Sequence, residues 1–308
     1  MYQLNLPKKV YFKSGSMKVA LRELTEVYHL KRALLVSDVN LYRGGAVKPV
    51  KLWLNDHGMR TAEFFSIDGE PSFEDIRSVL PKALEFQPDA IVGVGGGNAM
   101  SAAKALWALY ENPELDLAAA VAAPALLHTG EKAQLCLVAT SFGSGLQNAP
   151  FAVLRDDDDK LVQLKSQCLL PLISSTDADF TASLTKQQVR KAAGETLAQS
   201  LRALAAPDCC EYTAGLLCEA VKAILHYLAY AESGCPVARE KLHNAAAIAG
   251  SAYGNLTLPD DPRTRMAPMA DDQLAAVPRI GLLAQDLGYA DAAALVAACG
   301  AIYHPLYH

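Results

Sequence analysis

Hydrophobic and polar positions divide the chain into two regimes. Through the first 184 residues, short apolar runs alternate with segments of helical period. Residues 10–12 read as a short strand and 15–28 as an amphipathic helix. Residues 33–36 (ALLV) read as a buried strand, and 47–58 as a helix ending at Gly58. Residues 61–65 form the next strand. Ser72 with Asp75 three places on has the capping-box spacing, opening a helix that stops before Pro88. Residues 90–94 (AIVGV) run directly into Gly95-Gly96-Gly97 and a helix over 100–110. Residues 134–139 (QLCLVA) are a further strand, followed by a Ser/Gly turn. Residues 151–154 and 161–164 flank four aspartates, 156–159, as a hairpin with a solvated tip. Strands alternating with helices predict βαβ units and a parallel sheet. From residue 185 only helical periodicity is left, over 185–206, 212–232, 236–254, 271–287 and 290–300, with a loop over 259–268. The pattern therefore predicts an α/β domain over 1–184 and an all-helical domain over 185–308.

Composition narrows the classes without naming a function. Hydrophobic residues make up 51% of the 308 and charged residues 20%, enough to build a core and exclude disorder as the main state. Twenty-eight basic against 33 acidic residues give a net charge of −5, which argues against nucleic acid as a partner. The most apolar stretch, 117–127, is broken by Pro124 and falls short of the about 20 residues a membrane helix needs, so no membrane is expected. The opening residues lack a basic-then-apolar leader pattern. Seven cysteines at irregular spacing, with no C-x-x-C, read as free thiols. Together these give the expectation of a cytoplasmic protein.

Candidate chemistry sits where strands of the first region end. Gly95, Gly96, Gly97 and Asn98 join a buried strand to a helix. Glycines there let a ligand approach the backbone, and the helix start offers unpaired N–H groups to a pyrophosphate. The same residues would serve a tight turn equally well, and the spacing is not G-x-G-x-x-G. Lys104 follows two turns into that helix. Asp38 closes the strand at 33–36, where a carboxylate accepts hydrogen bonds from ribose hydroxyls or simply caps a helix. Thr140, Ser141 and Ser144 follow the strand at 134–139 and could line a phosphate or ribose, or only turn the chain. Three such loops at strand ends point to the edge where open α/β sheets bind small-molecule nucleotides.

These loops, in this order, resemble the iron-containing (group III) alcohol dehydrogenases, most of all the alcohol dehydrogenase part of bifunctional aldehyde-alcohol dehydrogenases. The residues carrying the resemblance are LPKKVYFKSGSMKVALREL, RALLVSD at 32–38, GGGNAMSAAK at 95–104 and ATSFGSGLQNAPFAV at 139–153. EYTAGLLCEAVKAI at 211–224 and AREKLHNAAAIAGSAYGN at 238–255 extend it into the helical region. Against the family patterns GGGS-x-x-D-x-x-K and PTT-x-GTGSE-x-x-PFAV, Asn98 and Ser101 depart in the first, and Ser141, Phe142, Ser144, Leu146 and Gln147 in the second. The resemblance implies an α/β nucleotide-binding domain with a parallel sheet plus an all-α C-terminal domain, the architecture shared with dehydroquinate synthase. It implies NAD as cofactor, Lys160 as a match to a lysine near the nicotinamide phosphate, and a homo-oligomer. Asp38 would favour NAD over NADP by repelling a 2′-phosphate.

The resemblance also implies a divalent metal held by an Asp and a His at i, i+4 on one helix and by two later histidines, polarising the substrate oxygen. Here the corresponding helix offers Glu195 and Gln199 in one register, or Thr196 and Ser200 in the other. Neither supplies histidine, and an amide is a weak donor for iron or zinc. The chain after Asn255 reads LTLPDDPRTRMAP, with no histidine before His304. His304 and His308 are separated by Pro305, which disfavours helical pairing. Three readings follow: an NAD-linked oxidoreductase impaired by loss of its metal, a nucleotide-binding or assembly protein without turnover, and a dehydroquinate synthase-like protein, whose metal set would accommodate Glu195. The first two are expected without a bound metal.

Overall fold

The computed structural model describes residues 3–259 and 267–307. Their contacts divide into two compact units. One comprises Leu6–Thr140 and Leu146–Phe180; the other comprises Ser141–Gly145, the described residues from Thr181 onward and the short opening segment through Asn5.

The first unit is a parallel six-stranded sheet. In chain order its elements are β1 (Lys9–Phe12), α1 (Ser16–Glu26), β2 (Arg32–Asp38), α2 (Val39–Arg43), α3 (Lys48–Asp56), β3 (Arg60–Ile67), α4 (Phe73–Phe86), β4 (Ala90–Gly95), α5 (Gly97–Glu111), α6 (Leu117–Ala122), β5 (Gln134–Ala139), the hairpin β6 (Phe151–Arg155) and β7 (Leu161–Lys165), and β8 (Ile173–Thr176). The sheet order is β1-β8-β5-β4-β2-β3, every neighbouring pair parallel, while β6 and β7 pair antiparallel. The apolar runs at β2, β4 and β5 are covered on both faces, which is why they read as continuous hydrophobic segments rather than alternating ones. Ser72 and Asp75 form the expected capping box at the start of α4.

β8 escaped the sequence reading. Its residues, ISST, are all buried although three carry hydroxyls. Hydrogen bonds resolve the conflict: Ser174 Oγ donates to Asn148 Oδ1 at 2.6 Å, and Ser175 Oγ lies 3.0 Å from Ser16 Oγ. Next to it, Asp177 accepts from the backbone N–H groups of Gly15 and Met17, tying β8 to the start of α1.

The second unit is helical among its described residues: α7 (Lys186–Leu204), α8 (Glu211–Glu232), α9 (Pro236–Tyr253), α10 (Asp271–Ala275), α11 (Pro278–Asp286) and α12 (Ala292–Tyr303). Thr185 and Gln188 make a capping box that starts α7. The single helix expected over 271–287 is two, because Pro278 lacks an N–H and Val277 before it is extended at ψ 116°. Much of the loop expected over 259–268, and His308, lie outside the described residues. α8 has the length and apolar content of a membrane span. Its inner residues, including Leu217, Val221, Ile224 and Leu228, are buried in packing against α7 and α9. None of the seven cysteines is in a disulfide.

α5 sets the tightest tolerance of the first unit. All residues from Ala99 to Tyr110 are buried, and the helix packs on β4, β2 and β6. A methyl group on Gly93 would lie 2.7 Å from both Ala103 Cβ and Leu137 Cδ2. Gly93→Ala is expected to lower stability by about 1–3 kcal/mol through overpacking, read as a reduced urea midpoint with an unchanged slope.

Candidate functional site

The carboxyl ends of β2, β4 and β5 bring three of the expected segments together. Gly95 ends β4 at φ +156°, a backbone state that side chains rarely adopt. A Cβ there would sit 2.5 Å from Ala99 Cβ, 3.2 Å from Leu41 Cδ1 and 3.5 Å from Asp38 Oδ2. Asp38 is thus beside the glycine turn. Its other oxygen, Oδ1, accepts from Leu41 N at 2.9 Å and caps α2. Thr140 N donates to Gly95 O at 3.1 Å, so the end of β5 adjoins the same turn.

Gly96 is the N-cap of α5 and has no side chain to cap it; Gly97 and Asn98 form the first turn. Gly96 and Gly97 are half-buried and Asn98 is exposed. No acidic side chain occupies that turn. The contrast is with α4, whose start is closed by Ser72 and Asp75. An uncapped helix start offers backbone donors and the positive end of the helix dipole to an anion. Ser37 completes the frame, its buried hydroxyl donating to Val94 O at 2.7 Å. Sequence reading missed it, although a serine just before a strand-terminal acid is a visible signal.

Lys104 is placed elsewhere than expected. It is fully buried, and its ammonium donates to the carbonyls of Leu146 and Phe151, at 2.7 and 3.1 Å, and of Ala149. All three protons are spent on the backbone that leads into β6, so none is aimed at a phosphate. Burial pushes its pKa down to about 7, while the three carbonyl dipoles hold the ammonium in place. Ser101, where the family pattern has Asp, accepts a hydrogen bond from Val153 N at 3.1 Å. It too fastens the hairpin to α5. Lys160 stands at the hairpin tip, exposed, 3.2 Å from Asp158.

Ser141 and Ser144 belong to the loop of the second unit. That loop lies directly on α9. Gly145, at φ +59°, approaches so closely that a Cβ would fall 2.3 Å from Ala246 O, and one on Gly250 would fall 2.0 Å from Gly145 O. Thr196 of α7 donates to Gly143 O at 3.1 Å. Beneath the loop, His243 is fully buried, 6.1 Å from the Phe142 ring by centroids, with neither ring nitrogen hydrogen-bonded. Burial pushes its pKa down to about 3, opposed by the backbone of Ser141, so the ring is neutral.

Glu195 and Gln199 lie one turn apart on α7, Gln199 buried. A Cβ on Gly143 would meet Glu195 Oε2 at 2.9 Å. Burial raises the Glu195 pKa, with Lys191 opposing. The end of the chain packs here as well. A Cβ on Gly194 would strike Leu306 Cδ1 at 2.5 Å, and the Tyr307 hydroxyl is pushed up to about 12 by burial and by Glu195. Beyond the glycine itself, no residue pattern signals that contact. Of the other register, Thr196 shares its one hydroxyl proton between Gly143 O and Ala192 O, both at 3.1 Å, and Ser200 donates to Thr196 O. Among the described residues, no three His, Cys, Asp or Glu side chains are grouped closely enough to hold a metal ion.

A family model described as iron-containing alcohol dehydrogenase matches residues 7–178. The bifunctional aldehyde-alcohol dehydrogenase AdhE of Escherichia coli K12 is 33% identical over 267 residues, covering 82% of this chain and 30% of that protein. Aldehyde-alcohol dehydrogenase 2 of Entamoeba histolytica is 34% identical, with the same coverage of both. The chain thus spans under a third of these relatives. Among solved structures, sulfoacetaldehyde reductase from Bifidobacterium kashiwanohense in complex with NAD+ superposes with a TM-score of 0.84 at 17% identity, over 98% of this chain and 85% of that one.

The buried His243 makes a specific pH signature. Its folded pKa lies below the ordinary 6.5, so acid favours the unfolded state, which takes up the proton first. The stability present above pH 6.5 is lost progressively toward pH 3. His243→Leu removes this term. From pH 7 to pH 5 the variant should gain about 2 kcal/mol on the parent, measured by urea unfolding at each pH.

Proposed function

This chain belongs to the iron-containing alcohol dehydrogenase family, and from that premise we propose that it binds NAD(H) through its α/β unit while metal-dependent alcohol oxidation is impaired. The glycine turn at 95–98 would take the pyrophosphate through backbone N–H groups of α5. Asp38 would accept from the adenosine ribose and disfavour a 2′-phosphate. Thr140, and Ser141 and Ser144 in the following loop, would contribute hydroxyls. Lys160 would serve only through reach of its exposed side chain.

One observation carries the second half of this reading. In one register of α7 the places of the family's Asp and His would fall on Glu195, whose pKa burial raises, and Gln199, a neutral amide; in the other they would fall on Thr196 and Ser200, and neither register supplies a histidine. Neither pair fits iron or zinc, which need anionic or imidazole donors. The family's metal acts as a Lewis acid on the substrate oxygen, so the chain's own residues would be left to bind and orient the nucleotide without it. A cytoplasmic, homo-oligomeric protein is in keeping with this reading, and net charge −5 gives no support to nucleic acid as a partner.

The test combines NADH titration, metal analysis and an alcohol-dependent NADH assay on the purified chain. Saturable NADH binding, with metal well below one per chain and no turnover, is expected. Gly95→Val should weaken NADH binding by about tenfold or more, because the added side chain forces the turn away from Ala99. Stoichiometric iron or zinc together with alcohol-dependent NADH formation would overturn the impairment.

A further inference from the structure

Two of the seven thiols are neighbours in the chain, and their surroundings differ. Cys210 is the N-cap of α8 and half-buried, while Cys209 just before it is 3% exposed. Cys210 and Thr213 close a reciprocal capping box: the Thr213 N–H faces the Cys210 sulfur, and Thr213 Oγ1 accepts from Cys210 N at 3.0 Å. The same hydroxyl stands 3.6 Å from the sulfur of Cys209 and 3.6 Å from that of Cys210, so both thiols gather about one group. The N–H and hydroxyl of Thr213, with the N–H of Tyr212, lower the Cys210 pKa. Burial raises that of Cys209. An accessible thiol that ionises, set beside a covered thiol that keeps its proton, has the makings of a redox pair.

The other cysteines sharpen the contrast. Cys136 and Cys299 are buried, and burial pushes both up to about 12. Cys235 also stands at a helix start, that of α9, yet its side chain makes no capping hydrogen bond and Pro236 after it has no N–H to give. Gly234 and Pro236 flank it, so no second thiol is adjacent in the chain.

Cys210 also has room for a reactant. It lines a cavity of about 310 Å³ whose walls include Leu4, Tyr212 and Leu256. Asp208 lines the same cavity. Its Oδ2 accepts from Thr257 N at 2.8 Å, but its buried Oδ1 has no hydrogen-bond partner among the described residues. A buried acceptor without a donor points to a ligand that brings one. Apolar walls, a sulfur that ionises and a spare acceptor together suit a small organic hydroperoxide.

We propose that Cys209 and Cys210 form a redox site, in which an organic hydroperoxide oxidises the Cys210 sulfur to a sulfenic acid and Cys209 closes it to a disulfide. In the first step the Cys210 thiolate attacks the terminal peroxide oxygen, the O–O bond breaks, and the alkoxide leaves as the alcohol after taking a proton from solvent. In the second, the Cys209 sulfur attacks the sulfenic sulfur, and its proton departs with the hydroxide as water. The two thiols give up two electrons and two protons, and the hydroperoxide is reduced to an alcohol and water. A bridge between neighbouring residues joins Cα atoms about 3.8 Å apart, closer than disulfides ordinarily span, so dithiothreitol reopens it readily. The proposal is independent of nucleotide binding.

Its test exposes the reduced full chain to cumene hydroperoxide without air and maps the cysteines by peptide mass spectrometry, with far-UV circular dichroism checking each variant. Two of the seven thiols should disappear, the peptide carrying Cys209 and Cys210 should lose two hydrogens, and dithiothreitol should restore both thiols. In Cys209→Ser, dimedone should trap Cys210 as the sulfenic acid; in Cys210→Ser, Cys209 should stay reduced. Iodoacetamide at pH 7 should alkylate Cys210 about tenfold faster than Cys235, and Thr213→Val should slow that reaction while Thr213→Ser does not. Oxidation that falls first on Cys168 or Cys235, a bridge from Cys210 to Cys218 or to a second chain, or a Cys210 no more reactive than Cys235 would each overturn the proposal.

Discussion

The junction between β4 and α5 governs the α/β unit. Gly95 turns the chain at a φ open mainly to glycine, and the first residues of α5 lie within 2.5 Å of where a side chain would stand. Gly93 two residues earlier makes the same demand on the helix face. With strand and helix this close, α5 is sunk into the unit from Ala99 to Tyr110. Everything laid over it must then be satisfied internally. Lys104 and Ser101 do this by binding the backbone of the segment that becomes the β6–β7 hairpin. The helix start, by contrast, is left uncapped at the sheet edge. One steric constraint thus produces both the packed helix and the exposed ring of backbone donors.

The helical unit obeys a parallel rule through different residues. Gly145 and Gly250 meet backbone to backbone at distances no Cβ would permit, and Gly194 lies against the Leu306 side chain. The 141–145 loop and the chain's end are therefore clamped on α9 and α7. Arg239 adds a third clamp, its guanidinium donating to the carbonyls of Thr181, Ala182 and Leu184. These contacts need no metal. They give the helices rigidity from backbone proximity and carbonyl capture.

What could be read from the sequence tracks how the residues are used. Apolar runs covered on both faces, as at β2, β4 and β5, announce themselves, and so does the capping box at Ser72. β8 did not, because its hydroxyls are paired to Asn148 and Ser16 only after the chain has folded. Lys104 misled for a related reason. A lysine two turns past a glycine turn looks available to a phosphate, and only the path of residues 146–151 shows that its protons are already taken. The glycine turn itself was legible because backbone geometry, unlike side-chain partnership, is written locally.

That distinction bears on how such a chain can diverge. A backbone turn such as that at 95–98 is made by glycines and a helix start; Asn98 stands exposed in its first turn and Ser101 is engaged with the hairpin. Recognition through a metal depends on several side chains from separate helices arriving together with the right charge. Burial raises the pKa of Glu195, and the neighbouring amide of Gln199 carries no charge. The two functions of the fold therefore fail at different rates under substitution, the distributed donor set before the local turn.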